Sequence, residues 1–472
     1  MGTPVLNNDV LYLIAMKDPG AFAGIRAVSP AVANYTRQYM ENYKEQFAKE
    51  VDEVVDGKRR KYKILPNGDK HGLYQEWHEN GRRSEEANYV DGMIDGLRQQ
   101  WGENGQITLM CNYVNGKKHR LCLKWHSRNG LPSKQCNYVE GKQDGVCQTF
   151  YFNGNIAKSV GYVGGVKHGP YREFYQDGTP KIEYNNVNGE IEGVYREYYP
   201  GGVLGVESYY TNGKLDGMHR AYYQNGNPKL EYESIEDKIN GAYREFYNDG
   251  ALKSETMYVD GVAEGLYKSW NRNGNLLTQA VNQGGELNGI FQQWDGYGNL
   301  ILEMNYVDGV PHGLHRQWHS NGQPYIQFNH FNGRRYGLYL EWYDNGQIRR
   351  QCTYVDGKLT GLYQQWDKNG QLEQERDYAE GKMVEQRRYT NGLMLERLFY
   401  ADGRIVKRDF YDENGRMTEQ LFYTDDKMSE HDFYDENGQL VERRFYDDEK
   451  LVGQDIYANG QLVEELRRED TL

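Results

Sequence analysis

Proline is scarce in this sequence, 11 in 472 residues, and cysteine scarcer, with five. Few prolines beside 55 glycines and 42 tyrosines argue against a Pro/Gly-rich disordered tract and for strands joined by tight turns. An odd number of widely spaced cysteines fits a reducing compartment better than a disulfide scaffold. No apolar run reaches the roughly 20 residues that span a bilayer. The start, MGTPVLNNDV, lacks the basic segment of a secretory signal. Positive charge is also short: Lys and Arg number 56 against 69 Asp and Glu, a net charge of −13. That balance argues against nucleic acid or an anionic membrane as partner, because phosphate neutralisation needs clustered cations. The reading is an intracellular, cytoplasmic protein.

What is present is a repeat. GLYQEWHENGRRSEEANYVDG, residues 72–92, returns with the same glycine at 96, 145, 169, 193, 217, 241, 265, 289, 313, 337 and 361, and with Arg120 in the remaining slot. Taking that glycine as origin gives thirteen units of period 24, with one extra residue between 120 and 145. Asn-Gly or Asp-Gly follows eight and nine positions on, as at Asn80-Gly81, and a third turn such as Asp91-Gly92 closes each unit. These dipeptides suit hairpins whose central residues take positive φ. The expectation is therefore a mainly β protein, an elongated antiparallel meander of hairpins.

Counting by two places the slot one after the origin (Leu73, Leu97, Val146) on one face with the slot five after it, which holds all eight tryptophans. The same count puts the tyrosines two after the origin on the opposite, glutamate-bearing face. Tyr74, Tyr171, Tyr195, Tyr243, Tyr267, Tyr339 and Tyr363 thus form the candidate partner-binding row. Cross-strand support of the sheet is the plainer reading of any one of them.

The pattern GxYxxW…NG…YxxG resembles the MORN repeat, in the variant also found in antitoxin-like repeat proteins, over about 72–381. The resemblance implies an antiparallel sheet used for scaffolding, self-association or partner binding. From 382 to 472 the rhythm shortens to 11–12 residues and Phe-Tyr pairs replace the tryptophan strand. This acidic extension, 22 Asp and Glu against 14 Lys and Arg, reads as a continued meander or cap.

Residues 1–55 do not repeat. Apolar residues at helical spacing, extending through Tyr39, Tyr43, Phe47 and Val51, predict a small α-helical domain. VLNNDVLYLIAMKDPGAFAGIRAVSPAVANY is similar to an F-box. That resemblance implies docking on a Skp1-type subunit of a cullin ubiquitin ligase through Leu6, Val10, Leu11, Ile14, Pro19, Phe22, Ile25 and Val28, with the repeats holding a substrate. Head and array together resemble F-box and MORN-repeat proteins of large DNA viruses. The alternative is a self-associating scaffold, a homo-oligomer whose helical head only covers the first strand edge. Residues 56–71, with Lys58-Arg59-Arg60-Lys61-Tyr62-Lys63, read as a basic linker and lead-in strand, with nuclear import as the functional reading of the cluster.

Nothing points to an enzyme, a cofactor or a metal. Cys111, Cys136 and Cys352 share a slot with Ala87 and Val160, and Cys122 and Cys147 share one with Tyr74, so they read as small apolar fillers. Histidines likewise follow repeat slots, His71, His119, His168 and His312 before the origin and His78, His126 and His319 after the aromatic.

Overall fold

The computed structural model describes Lys44 and residues 46–467. Thirty-seven strands occupy them. The first nine are β1 (Lys49–Val55), β2 (Lys58–Ile64), β3 (Lys70–Trp77), β4 (Arg83–Val90), β5 (Met93–Trp101), β6 (Ile107–Val114), β7 (Lys117–Trp125), β8 (Pro132–Val139) and β9 (Lys142–Phe150). The chain divides into two compact units, one ending at Gly217 and one beginning at Met218. Within the first, each strand pairs antiparallel with the next in sequence, as β1 does with β2 and β3 with β4. Within the second, the same meander runs on to Gln461–Arg467.

Two kinds of turn alternate, and they differ from the expectation. At Asp91-Gly92 both residues take positive φ, 50° and 78°, the type I′ geometry that matches strand twist. At Asn80-Gly81 only the glycine does, at 78°. There Gly81 N–H donates to His78 O (2.9 Å) and His78 N–H to Arg82 O (2.8 Å), which is a type I turn closed by a glycine bulge. Asn80 is thus not chosen for a left-handed backbone. Its Oδ1 accepts from Arg82 N–H at 3.0 Å, and its Nδ2 donates to the Glu103 carbonyl of the next unit at 2.9 Å. Asn104, Asn129 and Asn153 repeat that link in the first unit, and Asn225, Asn321 and Asn345 in the second, at 2.6–2.8 Å.

The residue after the aromatic slot makes a second ladder. His78 bonds the Trp101 carbonyl (2.9 Å), and Tyr175 and Tyr247 donate to the carbonyls of Tyr198 (2.7 Å) and Trp270 (2.9 Å). His or Tyr serves equally, because both present a polar atom at the tip of a flat ring.

The origin glycine sits inside a strand. Gly72 and Gly96 have φ of 77° and 101°. Around Gly96 the register passes from Ala87↔Arg98 to Tyr89↔Ile94, so Asp95, Gly96 and Leu97 stand against Asn88 alone. A second irregularity precedes the tryptophan: Gln100 faces Leu109 while Trp101 faces Ile107. Counting by two across these two sites misassigns faces.

The predicted helix does not reach Val51. Among the described residues Lys44, Gln46 and Phe47 are helical, and Ala48 N–H closes on Lys44 O at 2.9 Å. Lys49–Val55 is a strand, with Val51 opposite Tyr62 and a type I′ turn at Asp56-Gly57. The basic cluster is strand β2 instead of a linker. The eight residues proposed for Skp1-type docking, Leu6 to Val28, lie outside the described residues.

Candidate functional site

The tyrosine row does not face solvent. Tyr74, Tyr171, Tyr339 and Tyr363 are buried, and Tyr195, Tyr243 and Tyr267 half-buried. They share the inner face with Ala87, Cys111, Val160, Ala280 and Cys352, and with Tyr113 of the following strand. The rings run as a column across neighbouring strands: Tyr171 on Tyr184 at 4.3 Å, Tyr184 on Tyr195 at 5.6 Å, Tyr232 on Tyr243 at 5.6 Å. Small fillers leave room for these rings, which remove large apolar area from water.

Several of these hydroxyls find a partner two residues on. Tyr74 and Tyr339 donate to Glu76 and Glu341 at 3.1 Å, and Tyr363 to Gln365 at 3.1 Å. Burial pushes the Tyr184 and Tyr195 hydroxyls up to about 12, so they stay protonated donors. For Glu76, burial opposes ionisation, but hydrogen bonds from Arg60, Ser84, Lys58 and Tyr74 outweigh it and hold the carboxyl at about 2. Lys58 and Arg60 of the basic cluster thereby face inward onto Glu76 (3.2 and 2.9 Å), and Arg59 pairs with Asp52 (2.6 Å).

The outer face carries three parallel rows. In the first unit Leu73, Leu97, Leu121 and Val146 stand exposed on alternate strands, Leu73 at 51%. Asn88, Asn112 and Asn137 stand opposite Leu73, Leu97 and Leu121 on the strands between. In the second unit Leu266, Ile290, Leu338 and Leu362 repeat the row. Beside it runs a polar ladder of glutamates: Gln75 to Glu86 (2.8 Å) and Arg196 to Glu207 (2.8 Å) in the first unit, Arg244 to Glu255 (2.7 Å) and to Glu231 (3.1 Å) in the second. The third row is the half-buried tryptophans, with Arg59 stacked over Trp77 (5.6 Å) and Arg83 over Trp101 (5.7 Å). Aromatic and arginine side chains beside uncovered aliphatics are the composition of protein-binding surfaces. Sequence reasoning found these residues but put the wrong aromatic row outside.

The filler reading of the cysteines holds for burial: Cys111, Cys136 and Cys352 are almost wholly enclosed. It misses their pairing. Cys111, Cys122, Cys136 and Cys147 fall directly opposite one another on β6, β7, β8 and β9, and disulfides join Cys111 to Cys122 and Cys136 to Cys147. Spacings of 11, 14 and 11 do not announce this until the register is known. Among the described residues no cluster of three or more His, Cys, Asp or Glu has metal-binding geometry. No helix there is long and apolar enough to cross a membrane.

A search of the curated proteins gave no match. Six stretches of the chain, 70–91, 167–186, 239–260, 335–356, 359–380 and 433–448, match the MORN repeat variant, so the similarity recurs along the array and once within the shorter-period tail, and a repeat-based interaction or scaffold role is what it indicates.

Proposed function

We propose that this protein is a non-enzymatic interaction scaffold that binds protein partners on the outer face of its repeats. The observation that supports this is the row of uncovered aliphatic side chains, Leu73, Leu97, Leu121 and Val146 on alternate strands of the first unit and Leu266, Ile290, Leu338 and Leu362 in the second, flanked by arginine, glutamate and tryptophan. Large aliphatics at alternate strands, about 10 Å apart, offer a ruler-like surface to a partner with matching apolar side chains. In the fuller form of this reading, the N-terminal segment docks on a Skp1-type subunit of a cullin ligase and the outer face presents the substrate for ubiquitination. The apolar pattern around Asp18-Pro19-Gly20 motivates that part. Self-association through the same face is the second reading, favoured by the near-identity of the row in successive repeats.

Affinity purification of the full chain from a eukaryotic lysate tests the adaptor, beside a Leu11→Ala/Phe22→Ala variant and a Leu266→Ser/Ile290→Ser/Leu338→Ser/Leu362→Ser variant. Recovery of Skp1-type and cullin subunits by the wild type, lost only in the first variant, supports the adaptor. Their absence, with concentration-dependent dimers that the second variant abolishes in sedimentation, supports the self-associating scaffold. Monomers that recover no partner defeat both.

A further inference from the structure

One repeat gathers cations where several others pair a cation with a carboxylate. On the inner face, the slot four after the origin is glutamate in five repeats (Glu76, Glu173, Glu197, Glu245 and Glu341) and uncharged in seven, and cations of nearby slots answer several of those glutamates. Glu173 pairs with Lys158 (3.1 Å), Glu341 with Arg349 (2.9 Å) and Arg350 (3.4 Å), and Glu76 with Arg60 (2.9 Å). In the unit whose origin is Arg120, that slot holds Lys124. Lys124 stands directly opposite Lys134 on the next strand, and Lys118 lines the same pocket with Cys122, Cys136 and Tyr138. Among the described residues, no salt bridge to a carboxylate serves any of the three lysines. Like charges placed opposite in a sheet destabilise it, so an uncompensated triad marks a place where something else supplies the negative charge.

We propose that Lys118, Lys124 and Lys134 form a binding site for a compact polyoxyanion of the phosphate class. Three lysines lining one pocket match a multiply charged oxyanion, which lysine binds as a point charge with three rotatable donors. The floor is closed: Cys122 and Cys136 are 5% and 1% exposed, and Tyr138 lies under Lys118, 5.1 Å from its ring centre. Burial and mutual repulsion lower the affinity of Lys118 and Lys134 for their protons, and an anion in the pocket relieves that cost. A free anion fits better than a lipid headgroup, because the uncovered aliphatics that would meet a bilayer lie on the opposite face of the sheet and the chain carries a net charge of −13.

The test is calorimetric titration of the full chain with inorganic pyrophosphate in a phosphate-free, low-salt buffer. Saturable binding with one site per chain is expected. Lys124→Glu places a carboxylate opposite Lys134, as glutamate answers a cation at Glu173 and Glu341, so it should weaken binding by about tenfold or more while raising the unfolding midpoint. That rise separates loss of the site from loss of the fold. Lys268→Gln, in the second unit, should leave binding unchanged. No saturable heat with the wild type, or equal affinity in Lys124→Glu, overturns the proposal. Co-sedimentation with phosphatidylserine vesicles without pyrophosphate binding overturns it as well, in favour of a headgroup.

Discussion

The strands of 358–379 and those of 382–467 belong to one unit and continue one antiparallel ladder, yet their buried rows use opposite chemistry. Through the array the enclosed fillers are Ala87, Cys111, Val160, Ser208, Ala280, Phe328 and Cys352 under tyrosine rings. In the tail they are Gln386, Glu396, Asp409, Gln420, Asp432 and Asp455, with Leu398 the apolar exception. Arginines from adjacent strands seal those carboxylates: Arg443 grips Asp432 with two bonds of 2.8 Å, and Arg388 and Arg408 flank Glu396. Apolar filling is forgiving of which small residue sits in the slot. Ionic filling is not, since a shift of one residue would strand a buried charge. The difference teaches that tail register is set by pairs and array register by turns and bulges.

Removing one partner should hurt the tail most. Asp432 is fully enclosed, so Asp432→Ala leaves the Arg443 guanidinium facing a cavity and should cost about 3–5 kcal/mol. Urea unfolding, with hydrogen exchange read on Lys427–Tyr434, measures it. Asp432→Leu with Arg443→Met should return within about 1 kcal/mol of the wild type, because a well-packed apolar pair replaces a well-sealed ionic one. If the double change is as damaging as the single, ionic filling contributes more than register.

Glu76, like Glu341, is a buried carboxylate on the array's inner face. Its folded value of about 2 lies below the usual 4.5, so its stabilisation is present above pH 4.5 and lost as pH falls towards 2. The loss should approach about 3 kcal/mol in the first unit. Glu76→Gln should start less stable at neutral pH and show a flatter acid limb, which acid titrations of both chains by near-UV circular dichroism would compare.

His315 replaces the slot's usual tyrosine, stacked 4.4 Å from Phe328 with both ring nitrogens buried and unbonded. Burial first, then the charges of His330 and Arg335, drop it to about 4. The unfolded chain takes the proton near 6.5, so stability conferred by the neutral ring is full above that and falls as pH drops to 4, by about 2 kcal/mol at pH 5. His315→Tyr should abolish this slope in the second unit. A midpoint that tracks pH identically in both chains would show that the ring is reached by water.

The period, the turns and the strand count per unit were legible because Asn-Gly and Asp-Gly recur at fixed offsets. The faces were not. Ile107 and Tyr113 share parity in sequence, yet the bulge between Gln100 and Trp101 turns one outward and the other inward. Tyr74 does lie on the face opposite Leu73 and Trp77, as counted, but it is the Tyr74 face that is covered and the Leu73 face that is exposed. Strand β1 was hidden by Phe47 and Val51 at helical spacing, although Asp56-Gly57 is a hairpin dipeptide and the β-branched Val51 and Val55 favour a strand. The lysine at 124, in a slot that is otherwise glutamate or uncharged, was visible in the aligned repeats, but it acquired meaning only when β7 and β8 put it against Lys134.

The smallest effect tests the backbone half of the comparison. Array strands carry a left-handed residue in mid-strand once per unit, whereas from Lys382 onward every positive-φ position among the described residues lies in a turn. The array therefore needs glycine where the tail does not, and Arg120, at φ 62°, is a natural violation of that need. A side chain in this conformation costs about 1–2 kcal/mol, offset in part by the extra freedom glycine gains when unfolded. Arg120→Gly should then stabilise the first unit by about 1 kcal/mol. Gly337→Ala, at φ 76° with open space around its Cβ position, should destabilise the second by a similar amount through strain alone. Thermal midpoints moving in opposite directions would assign the mid-strand kink to glycine. Unchanged midpoints would mean that the ladder imposes the kink at no cost, whatever residue stands there.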